Sequence, residues 1–166
     1  MKLFYFDETI KNFELHNKFR EIISYLEMLP FSDEIFATQI AYAWYLYSEG
    51  EFINQDVSDD WKFYEDKLIN KIKFAIEKCK NLPKTCFIVA YSLEISGMDF
   101  SEEVMFDYEK QSHVCYELCI QNCKNAQLSE LCKFISTNRK TQLKFSTLTS
   151  LFPNSTIIDD YFKSVL

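Results

Sequence analysis

Only two glycines and three prolines occur in 166 residues. A chain with so few turn-formers cannot make the frequent reversals of an all-β fold, which needs such residues every few positions. It is suited to long helices joined by short connections. Apolar residues make up 48% of the sequence, enough for a packed core, and the length fits one domain over residues 1–166.

Helical spacing of apolar residues runs through nearly the whole chain. A first helix is expected from Glu8, carrying Ile10, Phe13, Phe19, Ile22, Ile23 and Leu26. Pro30 ends it, and Ser32 is placed to cap a second helix that reaches Glu49, with Gly50 as its C-terminal stop. A third opens at Ser58 or Asp59 and carries Trp61, Tyr64, Leu68, Ile72, Ala75, Ile76 and Cys79. Pro83 starts a short apolar fourth helix that stops at Gly97. Ser101 caps a fifth, which runs to Asn122, and a sixth covers Ser129 to Ser136. The stretch from Lys140 to Leu151 is ambiguous, because its Thr and Ser lower helix propensity. A final helix is expected after Pro153. The expected fold class is all-α, with about six to eight helices in stacked antiparallel hairpins.

The second and fourth helices resemble each other. With Gly50 set on Gly97, Ala43 falls on Ala90, Trp44 on Tyr91 and Leu46 on Leu93. The helices that follow also match: Tyr64-Glu65 falls on Tyr108-Glu109, and the Cys-Lys-Asn at 79–81 on that at 123–125. The repeat would span 36–81 and 84–125. Periods in the forties suit stacked helical hairpins, each burying its apolar face on the next. The pattern resembles the α-solenoid families, tetratricopeptide and HEAT-like repeats among them, though it follows neither consensus. That resemblance implies a scaffold that binds other proteins.

The net charge is −7 and the sequence pI about 4.9. A nucleic-acid binder displaces counterions with basic residues, and an anionic membrane repels an acidic surface. A basic protein is the partner that such a charge attracts. The acids are concentrated. Glu49, Glu51, Asp56, Asp59 and Asp60 form one base-free run; Glu94, Asp99, Glu102, Glu103, Asp107 and Glu109 form another. Apart from Glu49 and Glu94, each run follows the glycine of its copy. If the copies stack, the two runs share one edge as a negative rim. Asp59, Asp60, Glu102 and Glu103 also suit first-turn positions, where they favour the helix dipole. Tyr42, Trp44, Tyr45 and Tyr47 surround the second helix, and Tyr45 or Tyr47 would anchor a partner beside the rim.

No phosphate loop, His-Glu-x-x-His zinc motif or paired Cys-x-x-Cys occurs. Cys115, Cys119 and Cys123 lie four residues apart on one helical stripe near His113, too spread for a single tetrahedral zinc. They are expected to be buried small hydrophobes, as are Cys79, Cys86 and Cys132. Glu109 and His113 have the wrong spacing for a di-iron Glu-x-x-His pair. Neither a catalytic residue, a metal nor a cofactor is expected. The start of the chain, "MKLFYFDE", is too short in apolar residues for a signal-peptide core. A cytoplasmic protein with reduced thiols is therefore expected.

In overall character (small, acidic, helical, without a catalytic signature) the chain resembles bacterial immunity proteins, which neutralise a cognate toxin. The resemblance implies a basic partner, a nuclease-type toxin domain whose positive cleft an acidic rim would block, without direct contact to nucleic acid or membrane. The alternative is a helical-repeat adaptor that binds a peptide or regulatory protein.

Overall fold

The computed structural model describes residues 2–97, 107–137 and 143–166. These form ten helices: α1 (Glu8–Leu15), α2 (Phe19–Met28), α3 (Asp33–Ile53), α4 (Gln55–Asp59), α5 (Trp61–Lys78), α6 (Pro83–Ser96), α7 (Tyr108–Asn122), α8 (Ala126–Ser136), α9 (Phe145–Leu151) and α10 (Ile157–Val165). There is no strand among the described residues. The protein is all-α, but the helix count exceeds the expected six to eight, and the reasons are local.

The expected first helix is two. Asn17 takes a φ of 55°, in the left-handed region that Asn tolerates better than most residues, and α1 ends there. Gly50 does not end α3, which continues to Ile53. Asn54 is extended, and its Oδ1 accepts the N–H of Val57, so it closes α3 and caps the one-turn helix α4. The ambiguous Thr- and Ser-containing stretch contains α9. Three expected boundary signals act as anticipated. Ser32 Oγ accepts the N–H of Ile35, Pro83 occupies the first turn of α6, and α7 ends at Asn122. The expected cap at Ser101 lies outside the described residues, and α7 is capped by Asp107, which accepts the N–H of Lys110.

Helices α3 and α6 are apolar all round and form the centre. They run parallel. At their N-termini the Asp33 carboxylate accepts the N–H groups of Lys84 (3.0 Å) and Thr85 (2.8 Å), and Lys84 Nζ reaches Glu34 at 2.6 Å. Towards their C-termini Trp44 Nε1 donates to Ser96 Oγ at 3.0 Å. Each central helix carries an antiparallel partner. Gln39 and Phe36 of α3 meet Lys71 and Phe74 of α5, whereas Gly97 and Lys80, which flank α6, meet opposite ends of α7 through Tyr108 and Asn122. Two hairpins thus lie side by side. Ala43 and Ala90 are both fully buried, and the aligned pair Trp44 and Tyr91 meet edge to face at 5.3 Å.

The two glycines have a common use that the sequence did not reveal. Neither has a positive φ. A Cβ on Gly50 would lie 2.9 Å from Val57, and one on Gly97 would lie 2.6 Å from the Tyr108 ring. Each glycine leaves room for an apolar side chain of a following helix, Val57 of α4 or Tyr108 of α7.

Helices α8 and α9 extend the stack from α7, and α10 returns to close the core on α3. Phe162 of α10 packs among Phe4, Trp44, Phe87, Tyr91 and Phe152, with centroids 4.9 to 6.3 Å apart. Glu14 of α1 joins this junction by accepting from Tyr42 Oη and from the N–H of Ile157.

Asp159, in the first turn of α10, is almost fully buried and accepts the N–H of Asn154 at 2.8 Å. Burial pushes its carboxyl up to about 6; the Asn154 N–H and Lys163 oppose the rise, and Asp160 adds to it. An unfolded Asp titrates near pH 3.9, so folding favours the protonated form. The resulting penalty is absent below about pH 4 and grows as pH rises through about 6. Asp159→Asn keeps the acceptor without the charge. It is expected to match the parent in urea unfolding at pH 4 and to exceed it by about 1–2 kcal/mol at pH 7.5.

Candidate functional site

Because α3 and α6 are parallel, their C-termini emerge at one end of the bundle, and Glu51, Asp56 and Asp59 lie on the α3 side of that end. A cleft of about 490 Å³ opens there, bordered by Tyr47, Glu49, Glu51, Ser58, Trp61 and Ile95. On the other side of Ile95 lies a second cleft, of about 310 Å³, bordered by Glu94, Tyr108, Glu109, His113, Tyr116 and Ile135. Ile95 forms the ridge between them and is 50% exposed.

The expected contact residues divide by what they touch. Glu51, Asp56 and Asp59 are exposed at this end. Glu49 is half-buried, and burial together with the neighbouring Glu51 raises its carboxyl above the ordinary glutamate value. A cation placed in the cleft would relieve that strain by favouring the ionised form. Asp60 turns towards the fold: it pairs with Arg20 at 3.4 Å, and the guanidinium lies 4.3 Å above the Phe63 ring. Asp107 is engaged as the cap of α7. Asp99, Glu102 and Glu103 lie outside the described residues.

The two tyrosines differ. Tyr45 is half-buried and packs edge-on against Tyr161 at 5.4 Å, with burial and Glu49 raising its phenol. Tyr47 borders the larger cleft. The most exposed apolar groups at this end are others. Trp61 is 51% exposed and Phe52 77% exposed. Periodicity placed Trp61 in the core, because it shares a stripe with the buried Tyr64, Leu68 and Ile72. It stands at the first residue of α5, where that stripe opens into the cleft. Its position directly after Asp59-Asp60 was the available signal.

The smaller cleft has ordered walls. Tyr116 Oη donates to Glu94 at 2.7 Å, and Ser112 Oγ donates to the carbonyl of Ala90 at 2.9 Å. The cysteines fit the expected packing role: five are buried, Cys123 is half-buried, and all six are free thiols. Burial raises the thiols of Cys79, Cys86 and Cys115. Among the described residues, no three His, Cys, Asp or Glu side chains are grouped to hold a metal ion, and no helix is long and apolar enough to cross a membrane.

No protein-family model matches this chain, and no curated protein or solved structure matches it either.

Proposed function

We propose that the protein is a non-catalytic binding protein that docks a basic protein partner on its acidic end and neutralises it, the partner being a toxin domain of nuclease type. One observation carries this reading: half-exposed Trp61 and Ile95 stand at the border of a cleft that also holds Glu49 and Glu51, with Phe52, Asp56 and Asp59 close by in the chain. Apolar anchors inside a charged rim are the composition of a protein interface, the anchors supplying affinity and the rim steering encounter. A nuclease must hold phosphates, so its cleft is basic and complementary to this end. As an immunity protein, this chain would act in the compartment where the toxin acts, which for a nuclease is the cytoplasm.

The direct test is co-expression with the product of the adjacent gene. That product should arrest growth alone, and this protein should restore growth and form a salt-sensitive complex with it. A harmless neighbour, or a toxic one that neither binds nor is rescued, counts against the reading.

Within such a complex, the Glu51→Lys/Asp56→Lys variant is expected to associate about tenfold more slowly at low salt, with the difference shrinking as salt rises. Trp61→Ala is expected to act on the other rate, speeding dissociation by about fivefold, equivalent to about 1 kcal/mol. Stopped-flow association and dissociation traces separate the two.

A second groove favours the adaptor alternative. Ala75, Ile76, Val89, Val114 and Leu118 border a largely apolar channel of about 250 Å³ between α5 and α7. A peptide-binding adaptor would use that face. Val114→Glu would then abolish binding, whereas the acidic-end reading expects it to have no effect.

A further inference from the structure

We propose that Cys119 of α7 and Cys132 of α8 are a covalent modification site, closing to a reversible disulfide that ties these two helices together. This inference is independent of the acidic end and its partner. Both side chains are fully buried, and their sulfurs lie 3.0 Å apart. A disulfide bond is about 2.0 Å long, so bond formation requires an approach of only about 1 Å. Other thiols are directed elsewhere: Cys86 towards the carbonyls of Cys79 and Lys80, Cys123 towards the carbonyl of Asn125, and Cys115 receives Gln111 Nε2. Cys119 and Cys132 instead face each other across the α7–α8 packing, on either side of the short connection through Cys123 and Asn125.

The oxidant is of the peroxide class, small and neutral enough to enter when α8 opens locally. One cysteine, as thiolate, attacks a peroxide oxygen and breaks the O–O bond. It becomes a sulfenic acid, and the departing hydroxide takes a proton as water. The second thiolate then attacks the sulfenic sulfur, forms the S–S bond and displaces hydroxide, which leaves as a second water. Two thiols and one hydrogen peroxide give one disulfide and two waters. The mutual contact with Cys132, and then burial, raise the Cys119 thiol well above its ordinary value. Little thiolate forms in the closed state, so the rate follows local opening.

The cross-link bears on the smaller cleft. Tyr108, Glu109, His113 and Tyr116 of α7 form one wall of it, and Ile135 and Ser136 of α8 form another. Joining Cys119 to Cys132 fixes those walls relative to each other.

The test treats the native full-length protein with hydrogen peroxide until the half-buried Cys123 has reacted. Thiols are then blocked, the protein is digested without reduction, and linked peptides are located by fragmentation. The expected product is a Cys119–Cys132 link, lighter than the two free thiols by two hydrogens. The link should be removed by dithiothreitol and retained in Cys115→Ala. It should be absent from Cys119→Ala and from Cys132→Ala. The cross-linked protein should melt about 5–10 °C higher than its reduced form, because the unfolded chain is constrained. The proposal is overturned if Cys123 reacts while Cys119 and Cys132 stay free, or if either sulfur links to Cys115 or Cys123 instead. Peptide mapping of the parent protein decides this even if an alanine variant does not fold.

Discussion

The Trp44→Ala variant is expected to unfold in urea at a much lower midpoint than the parent, with about 4 kcal/mol of stability lost. Trp44 is fully buried and is the largest side chain in the centre of the molecule. Its ring meets Tyr91 at 5.3 Å, Tyr161 at 5.2 Å and Phe162 at 6.3 Å, so truncation opens a cavity where α3, α6 and α10 converge. Those rings are held by further aromatic neighbours and cannot collapse into the gap. The loss also leaves buried Ser96 without the indole N–H that it accepts. Domains of this kind have a total stability of about 5–15 kcal/mol, so a large share disappears. Trp61→Ala is the internal control: that ring is half exposed, and its removal should change stability by no more than about 0.5 kcal/mol. Equal losses for the two variants would mean that the aromatic junction is not the centre of the core.

Asp33→Ala is expected to cost about 2–3 kcal/mol, although it removes a single carboxylate from a partly exposed position. Asp33 belongs to the first turn of α3, where its charge favours that helix's dipole. The same carboxylate accepts the N–H groups of Lys84 and Thr85 and the hydroxyl of Thr85 at 2.8 Å. It therefore caps the neighbouring helix, where Leu82 at the cap position of α6 provides no side-chain acceptor. Its loss leaves amide donors of α6 unpaired at a packed junction. Asp33→Asn keeps an acceptor and should recover about half of the loss. Urea unfolding of the three proteins at neutral pH makes the comparison, and an alanine variant as stable as the asparagine one would refute the capping role.

Legibility in the sequence followed the range of the interaction. Ser32 and Pro83 act through neighbours within one turn, so their residue types were enough to place α3 and α6. The all-round apolarity of α3 and α6 is what their central position requires. Gly50 misled because a glycine after an apolar helix signals a stop, whereas here it makes room for Val57 seven residues later. Asn17 split one expected helix by a backbone conformation that its neighbours do not encode. The cap on α6 comes from Asp33, far away in the chain, and no local pattern could have shown it. Of the two runs of charge in the sequence, the first places Glu51, Asp56 and Asp59 exposed beyond the end of α3 or in its last turn. Which acids are occupied within the fold, as Asp60 is by Arg20, depends on packing, and so does the exposure of Trp61.

The aromatic junction has a consequence for synthesis of the chain. Trp44 and Phe162 are more than a hundred positions apart, yet each completes the other's packing. At about 5–20 residues per second, a ribosome needs roughly ten seconds to make the intervening segment. Once α6 has been made, and until α10 follows, the aromatic face that α3 and α6 form lacks its cover. A chain ended before Phe162 is expected to be cleaved by a protease faster than the intact protein, because that face stays uncovered.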